Sequence, residues 1–448
     1  MTARTLILFN YDWDATAYGR LADVWPSAHA GFDLFTFPSC LRLATFDLHG
    51  FVDQLARRAR KAGWRAVVSN HEQFGALGAA LLAEAMGWPG TPVAAVLACQ
   101  HKLYARQVLQ RVAPEANLPF ARLDACYGEP IPHGLRYPLF AKPVKAAFSV
   151  LARRVGNHAQ LTALTRFGPL EQWIIRRLVE PFDAIARARL ADAPSAHGML
   201  LEEPFDAPQF NLDGYVFRGE VHAIGVVDAV MYPGTGAFQR FDRPSRLAER
   251  VQQRALDVAS RFLKAVGFDH GFFNMEFFYD VATDALKVIE FNPRLASQLA
   301  DLYRRVDGLD AHAGSLALAH GNDPGPAMRC AVSAGAAASF VFRSFDHHRV
   351  PMMPTARRLR TFAGRFPDAW LQAMPKQGRG LARDFKWLGS HRYGVMHLGG
   401  ADALDLHERY RRACLLLGWP VAESRDALVH MPTMPVARVL PHIEGVPS

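Results

Sequence analysis

The segments Phe-Phe-Asn-Met-Glu-Phe-Phe at residues 272–278 and Lys-Val-Ile-Glu-Phe-Asn-Pro-Arg at residues 287–294 are two apolar stretches that each carry a glutamate. The short polar segment between them is typical of a hairpin turn. A turn centred near Thr283 places Glu276 directly opposite Glu290 on neighbouring strands. Two carboxylates in this position repel each other, so the pattern indicates a divalent cation between them.

The residues around the two glutamates favour a particular kind of cation. Side chains alternate between the faces of a strand, so Glu290, Asn292 and Arg294 share one face, and Glu276 points into it from the next strand. Two carboxylates and an amide are oxygen ligands, which suit Mg²⁺, with Mn²⁺ as an alternative; Mg²⁺ takes further ligands from phosphates and water. The hairpin therefore predicts a metal–nucleotide site with an arginine beside it.

Composition points to a globular protein with a large core. Of the 448 residues, 50% are hydrophobic and 21% are charged, which allows two to four domains. The net charge is +9, but the basic residues are scattered, so a nucleic-acid-binding tail is not indicated. A mild positive field fits small anionic substrates.

The cysteines and the longest apolar runs of the sequence indicate the cellular compartment of the protein. The five cysteines are widely spaced and odd in number, which favours reduced thiols in a cytoplasmic protein. The apolar run near the N-terminus, residues 6–9, is too short for a signal peptide and is interpreted as a first strand. No apolar run reaches 18 residues, so no membrane span is expected.

Strand and helix patterns alternate in the first hundred residues and predict a parallel α/β domain. The expected strands are 4–10, 32–37 and 65–69, and the expected helices are 15–25, 48–62 and 75–86. Ligands bind at the carboxyl ends of such strands. Residues 69–72, Ser-Asn-His-Glu, follow the last of these strands and are candidates for that edge.

The middle of the chain contains two further candidate sites. Lys142 ends an apolar strand and precedes a loop at 145–150, where a lysine and loop amides could meet phosphate oxygens. The alternative is an exposed lysine at a strand end. Residues 202–205, Glu-Glu-Pro-Phe, leave a strand and could present backbone groups to an adenine edge, or could be an ordinary edge turn.

In their order along the chain, these residues resemble the ATP-grasp superfamily. Within it, the resemblance is to the carboxylate–amine ligase type, which is similar to L-amino acid ligases and biotin carboxylases. The resemblance rests on Lys102 in a helix, Lys142 after a strand, the acidic hinge at 202–203, Glu276, and the Glu-Phe-Asn-Pro-Arg element at 290–294. It covers about residues 60–322. It extends more weakly to the first domain and to residues 391–400.

The resemblance implies an α/β fold with an N-terminal Rossmann-like parallel-sheet domain, a central ATP-grasp fold of two α+β subdomains, and a C-terminal α/β lid-like domain. The boundaries that it implies are 1–98 for the N-terminal domain, 99–205 for the small subdomain with its linker helix, 206–322 for the large subdomain, and 323–448 for the C-terminal domain. The last part is expected to be separate, at a size usual for a domain.

The resemblance also implies a role for each candidate residue. ATP phosphates would contact Lys102, Lys142 and Ser149, and the rest of the nucleotide would contact Glu202, Glu203, Phe205 and Gln209. The metal ligands would be Glu276, Glu290 and Asn292. Arg294 and Lys142 would be the catalytic residues, whose positive charges stabilise the transferred phosphoryl group.

The activity that the resemblance implies is ADP-forming ligation of a small carboxylate, such as an amino acid, to an amine or another nucleophile through an acyl phosphate. The relatives are often homodimers. Two alternatives remain: a degenerate ATP-binding sensor, and a biotin carboxylase-like enzyme. The second would carry an acidic stretch shortly after the Asn-x-Arg element, where this chain has Leu-Ala-Ser-Gln-Leu-Ala-Asp at 295–301.

Overall fold

The structure is a computed structural model that describes residues 4–32, 45–123, 125, 127–146, 151–346 and 348–422. Most of the expected strand at 32–37, the loop residues 147–150 and the candidate Ser149 lie outside the described residues.

The N-terminal region contains a three-stranded parallel sheet with helices around it, as the alternating pattern predicts. Its elements are β1 (Arg4–Leu8), α1 (Asp12–Arg20), β2 (Ser27–Ala30), α2 (Leu48–Ala62), β3 (Trp64–Val68), α3 (Gly75–Met86) and α4 (Val93–Gln100). The strand order is β2-β1-β3. The second strand, β2, therefore comes earlier in the chain than the strand expected at 32–37. Helices α2 and α3 end at Gly63 and Gly87, whose left-handed backbone suits glycine.

A small antiparallel sheet follows, in the order β4-β7-β5-β6. Its elements, with the helices that belong to this part of the chain, are α5 (Lys102–Val112), β4 (Phe120–Arg122), β5 (Leu139–Pro143), β6 (Arg153–Val155), α6 (His158–Thr165), α7 (Pro169–Arg189) and β7 (Met199–Glu202). The sequence suggests one helical stretch over 158–192. The structure divides it, because Gly168 is the N-cap and Pro169 the first residue of α7.

The central part is a large antiparallel sheet packed against helices. Its elements are β8 (Gln209–Phe217), β9 (Glu220–Met231), β10 (Phe238–Arg243), α8 (Glu249–Ala265), β11 (Gly271–Asp280), β12 (Ala285–Asn292), α9 (Ser297–Val306), α10 (Ala311–Ala319) and α11 (Pro324–Met328). Helix α8 packs on the sheet through Phe262, whose ring stacks on Phe291 with centroids 3.8 Å apart. Helix α9 was not expected from the sequence.

The C-terminal region adds three strands to the same sheet. Its elements are β13 (Ala336–Ser344), α12 (Ala356–Arg365), β14 (Trp370–Ala373), α13 (Gly378–Leu388), β15 (His391–Gly400) and α14 (Ala403–Leu417). The full strand order is β12-β11-β8-β9-β10-β13-β15-β14. The prediction of α/β structure here is right, but the expected separation is wrong, because β13 pairs with β10 and continues the central sheet.

Among the described residues, no helix combines the length and the apolar character that crossing a bilayer requires.

Candidate functional site

The two glutamates of the acidic hairpin face each other across neighbouring strands, as predicted. Glu276 on β11 pairs with Glu290 on β12. The register shifts between Glu276 and Phe277, because Phe277 pairs with Val288 and leaves Ile289 as an extra residue on β12. This bulge places the two carboxylates opposite each other; a regular hairpin with the observed turn would put Ile289 there.

Arg106 holds the bulge in place from helix α5. Its guanidinium donates to the carbonyl oxygens of Val288 at 2.7 Å and Ile289 at 3.2 Å, and to Asn117 Oδ1 at 3.1 Å. Lys142 Nζ also donates to the Ile289 carbonyl, at 3.2 Å. A bulge leaves backbone groups without ladder partners, and here cationic side chains satisfy them.

Glu202 links Arg106 to Lys142. Its two carboxylate oxygens lie 2.6 Å from Arg106 Nε and 3.0 Å from Lys142 Nζ, and all three side chains are buried. Burial would raise the pKa of Glu202, but the two cations hold it below its usual range. Burial lowers the pKa of Lys142, and Glu202 opposes that shift. Lys142 therefore sits in a fixed position at the floor of the cleft.

Lys102 lies beside the carboxylate pair. Its Nζ is 3.3 Å from Glu290 Oε2 and donates to the Ala146 carbonyl at 2.8 Å. Burial opposes ionisation of Glu290, yet Lys102 and Lys142 keep its pKa below the usual range. Glu276 is different: burial and the neighbouring charge of Glu290 raise its pKa. The negative charge of Glu290 is therefore compensated by the two lysines, whereas a negative charge on Glu276 is destabilised by burial and by Glu290.

Neutral amides surround Glu276. Gln209 Nε2 donates to Glu276 Oε2 at 2.8 Å, and Asn292 Nδ2 lies 3.4 Å from Glu276 Oε1. Asn292 Nδ2 also donates to Asn274 Oδ1 at 3.1 Å, which fixes the orientation of its amide. One N–H of the Gln209 amide is thus engaged with Glu276, rather than with the nucleotide that the sequence resemblance implies as its partner.

A polar layer beneath Asn274 supports this arrangement. Asn274 Nδ2 donates towards Asp213 Oδ1 at 3.2 Å, and the Tyr303 hydroxyl donates to Asp213 Oδ2 at 2.8 Å. Asp213 is fully buried, and burial raises its pKa to about 7 despite these hydrogen bonds. Helix α9, which the sequence did not predict, contributes Tyr303 to this layer.

The residues around the Glu276–Glu290 pair fit a divalent cation that takes its further ligands from phosphates. In the part of the chain that the structure describes, no group of three or more His, Cys, Asp or Glu side chains could hold a metal ion. Glu276, Glu290 and Asn292 offer oxygen ligands, and the charge repulsion at Glu276 would be relieved by a cation. Such a set suits Mg²⁺ completed by water and phosphate oxygens.

Arg294 joins the hairpin to the N-terminal region. Its Nε lies 2.9 Å from Glu72 Oε2, and Glu72 follows the carboxyl end of β3, where the sequence places candidate ligands. Gln100 Nε2 donates to the Glu72 carbonyl at 2.8 Å, and Lys145 Nζ donates to Gln100 Oε1 at 3.0 Å. Burial lowers the pKa of Lys145 to about 8. Gln100 was missed in the sequence because it belongs to no recognisable motif, and Lys145 was predicted only as the first residue of the loop at 145–150.

The predicted hinge at residues 202–205 lines the cleft, although its backbone is partly engaged. The Glu203 N–H donates to the Pro119 carbonyl at 3.0 Å, so an adenine edge would have to meet other backbone groups of this segment. The Phe205 ring packs near Phe278, with centroids 5.9 Å apart, and forms an apolar wall.

The Glu276–Glu290 pair, its neighbouring lysines and Arg294 open onto one cleft of about 1880 Å³ between the two sheets and the N-terminal region. Its lining includes ten of the eleven predicted site residues: Lys102, Lys142, Glu202, Glu203, Phe205, Gln209, Glu276, Glu290, Asn292 and Arg294. Ser149 lies outside the described residues. A small-ligand pocket is typically ~300–1,000 Å³, so this cleft has room for a nucleotide and further substrates.

Comparison with known sequences gives little information about activity. No protein-family model matches the chain. An uncharacterized protein, y4rH, of Sinorhizobium fredii is 26% identical over 281 residues. The match covers 60% of this chain and 52% of that protein, so the chain spans about half the length of this curated relative.

Comparison with solved structures identifies the fold. An L-amino acid ligase from Bacillus licheniformis superposes with a TM-score of 0.63 at 15% identity, over 92% of this chain and 96% of the other. A biotin carboxylase from Campylobacter jejuni gives 0.58 at 15% identity (92% and 91%). A phosphoribosylglycinamide synthetase from Anaerococcus prevotii gives 0.58 at 11% identity (93% and 98%). The chain has the ATP-grasp fold, as the sequence resemblance implied.

Proposed function

We propose that this ATP-grasp chain is an ATP-dependent, ADP-forming ligase that joins a small carboxylate or amino acid to an amine or another nucleophile. The observation that supports this most is the Glu276–Glu290 pair with Lys102 and Lys142 beside it in one cleft. Holding opposed carboxylates costs stability, and a nucleotide–metal complex would recover that cost.

The chain's own residues suit phosphoryl transfer. Lys102 and Lys142 supply fixed positive charge next to the carboxylate pair, and Lys142 is oriented by Glu202. Arg294 is held by Glu72 through Nε and by the Leu295 carbonyl through Nη1, which leaves Nη2 able to donate to a phosphoryl oxygen. A Mg²⁺ ion held by Glu276, Glu290 and Asn292 would neutralise phosphate charge. Positioning and charge then account for most of the rate.

The proposed reaction has two steps. A carboxylate oxygen of the acid attacks the γ-phosphorus of ATP, and the bond to the β–γ bridging oxygen breaks, which gives an acyl phosphate and ADP. The nucleophile then attacks the acyl carbon, loses a proton, and expels phosphate. Arg294, which is paired with Glu72 and lines the cleft, would stabilise the negative charge in both steps.

The test is the release of ADP and phosphate from Mg-ATP with a matrix of amino acids, small carboxylates and amines. Wild type and Glu290→Gln are compared, with Glu180→Gln as a matched control, since Glu180 is an exposed residue that contacts His197 outside the cleft. Release that depends on an acid and is lost only in Glu290→Gln supports the ligase. Release that survives in Glu290→Gln contradicts the site assignment.

Two alternatives predict other results. A degenerate sensor would bind ATP and release no ADP with any acid, and a biotin carboxylase-like enzyme would depend on bicarbonate. No described residue specifically favours either. Among the described residues, Cys99, Cys330 and Cys414 are free thiols. The proposal also includes a cytoplasmic location, a homodimeric assembly and small-molecule rather than nucleic-acid partners. It keeps the four sequence-derived domain ranges, with the strands of the last one continuing the central sheet.

A further inference from the structure

Lys145 is a buried lysine that the proposed reaction does not use. It follows the end of β5 at Pro143, and its side chain belongs to a residue that is only 4% exposed. Among the described residues, Gln100 and Ala146 line the cleft, but Lys145 does not. Lys145 therefore meets the cleft only through a neighbouring side chain, and it does not touch a substrate itself.

Neutral groups hold the ammonium group of Lys145. Its Nζ donates to Gln100 Oε1 at 3.0 Å and lies 4.7 Å from the centre of the Phe182 ring, on α7. In the part of the chain that the structure describes, no carboxylate forms an ion pair with it. Burying a cation without an anionic partner destabilises a fold, and an aromatic ring compensates only part of that cost. A methionine of similar length would avoid the cost, so packing alone does not account for a lysine here.

Three contacts connect Lys145 to Arg294. A lysine offers only hydrogen-bond donors, so it turns the Gln100 oxygen towards itself and the amide nitrogen away. That nitrogen donates to the Glu72 carbonyl at 2.8 Å, and Glu72 Oε2 lies 2.9 Å from Arg294 Nε. Gln100 ends α4, Glu72 follows β3, and Arg294 follows β12. The lysine thus orients a chain of side chains that brings three parts of the fold together at the proposed phosphoryl site.

Charged and titratable groups from several elements act on Lys145. They are the acids Glu72 and Glu290, the cations Lys102 and Arg294, and the histidines His71 and His101. Burial and the cations outweigh the acids, so the pKa of Lys145 is lowered to about 8. The pKa values of both histidines are also lowered, so neither adds a positive charge near this pH. Additional negative charge in the cleft would shift Lys145 towards its protonated form.

We propose that Lys145 is a positioning residue for phosphoryl transfer, whose protonated form fixes Arg294 at the reacting phosphate through Gln100 and Glu72. The inference rests on the proposed function, because that function assigns Arg294 to the phosphoryl group. The negative charge of the bound nucleotide favours protonation of Lys145, and the proton comes from the solvent. Nucleotide binding and the placement of Arg294 are thereby coupled.

Protonation of Lys145 matters for two physical reasons. A charged donor strengthens the hydrogen bond to Gln100 Oε1 and, through the amide, polarises the hydrogen bond to the Glu72 carbonyl. The positive charge also attracts the Glu72 carboxylate, which keeps the partner of Arg294 ionised and in place. A neutral lysine keeps the shape of these contacts but loses both effects.

The first test compares steady-state ADP release by wild type, Lys145→Met, Lys145→Arg and Gln100→Leu. Methionine removes the charge and the donor at similar length, whereas arginine keeps a charged donor at every accessible pH. The matched control is Lys264→Met, because Lys264 is an exposed lysine in the last turn of α8.

Lys145→Met should lower kcat roughly 10- to 100-fold, as expected for losing a charge-assisted hydrogen bond, while KM for the acid changes less than about threefold. Gln100→Leu should resemble it, and Lys264→Met should match wild type. In an Arg294→Met background, Lys145→Met should cause no further loss, because its effect passes through Arg294. Turnover of Lys145→Met equal to wild type, or a full additional loss in that background, refutes the inference.

The pH dependence gives a readout that a merely structural lysine would not change. Because the protonated form of Lys145 is the active one, kcat/KM for ATP of wild type should fall as pH rises through about 8. Lys145→Arg should recover part of the activity and should not show this fall. A wild-type profile that Lys145→Arg reproduces would contradict a role for the charge.

A second measurement needs no turnover. Calorimetry at pH 8, in buffers of different ionisation enthalpy, counts the protons that are taken up when a non-hydrolysable Mg-ATP analogue binds. Wild type should take up roughly 0.3–0.5 proton more than Lys145→Arg, since the arginine is always charged. Proton release from Glu276 on metal binding is common to both proteins and cancels in the difference.

The calorimetry separates failure of this inference from failure of the proposed function. If no acid supports ADP release but the difference in proton uptake is present, the coupling of Lys145 to bound nucleotide stands and the ligase does not. If ADP release is normal but proton uptake is the same in both proteins, the inference is refuted and the ligase stands. If no nucleotide binds, both are refuted. Should Lys145→Arg not fold, Lys145→Met takes its place, because methionine binds no proton either.

Discussion

Replacing Glu276 by glutamine should make the ligand-free protein more stable at neutral and alkaline pH. Glutamine keeps the shape of the side chain and can still accept the hydrogen bond from Gln209, but it removes the charge that faces Glu290. The change therefore isolates the electrostatic cost of the carboxylate pair from its packing.

The size of the effect follows from the separation of the charges. Directly opposed strand side chains lie about 5 Å apart, and at an effective dielectric constant of about 20 two unit charges then repel by roughly 3 kcal/mol. Lys102 and Arg294 offset part of this repulsion at Glu276. A net gain of about 1–2 kcal/mol is expected, or roughly 1–2 °C in melting temperature for a chain of this size.

The gain should depend on pH in a defined direction. The pKa of Glu276 is raised on folding, so its protonated form favours the folded state below the unfolded value of about 4.3, and this contribution is lost as pH rises through the folded pKa. Thermal unfolding without Mg²⁺ or nucleotide should show a larger advantage of Glu276→Gln at pH 8 than at pH 5. Mg-ADP should stabilise wild type more than the variant.

Glu290→Gln is the matched comparison, because Lys102 and Lys142 already balance the charge of Glu290. It should give no gain in stability. A Glu276→Gln protein that is less stable than wild type at pH 8, or whose advantage does not change with pH, would refute the electrostatic account of the pair.

Three further substitutions test other parts of the site. Arg106→Met should lower the free energy of unfolding by denaturant by about 3–5 kcal/mol, because it leaves Glu202 buried and partly unpaired. The double variant with Glu202→Gln should recover much of this loss. If the effects of the two substitutions simply add, the two side chains are not coupled. Tyr303→Phe removes a donor to the buried Asp213 and should lower the free energy of unfolding by about 1–3 kcal/mol; an unchanged value would argue against the supporting layer. Arg294→Met should lower substrate-dependent ADP release by roughly 100-fold or more while Mg-ADP still raises the melting temperature; unchanged turnover would exclude a catalytic role.

Much of the fold could be predicted because its signals are local. The bounds of α2 and α3 match the sequence predictions, since glycines with a left-handed backbone end both helices. The Glu276–Glu290 pairing was also predicted, but the underlying bulge was not. Arg106 stabilises that bulge from 182 residues away in the chain, and a strand pattern contains no signal for so distant a contact.

The pairing of the C-terminal strands was missed for a similar reason. Strand β13 joins β10 across roughly a hundred residues, and alternation of side chains indicates a strand without indicating its neighbour. Arg343 on β13 and Arg392 on β15 lie directly opposite each other only because of the register between these strands. The lysines and glutamates near the hairpin could be identified from their order in the chain. The Arg343–Arg392 pair could be recognised only from the pairing of strands in the sheet.

The most direct test of the central claim is the fate of oxygen in the acid substrate. The acid identified in the ADP-release matrix is labelled with ¹⁸O in its carboxylate, and the phosphate released during one turnover is analysed by mass spectrometry. Phosphorylation of the carboxylate predicts that one ¹⁸O atom moves into phosphate for each ADP formed, and that Glu290→Gln abolishes the transfer. Unlabelled phosphate alongside ADP would mean that the carboxylate does not attack ATP, and would contradict the account.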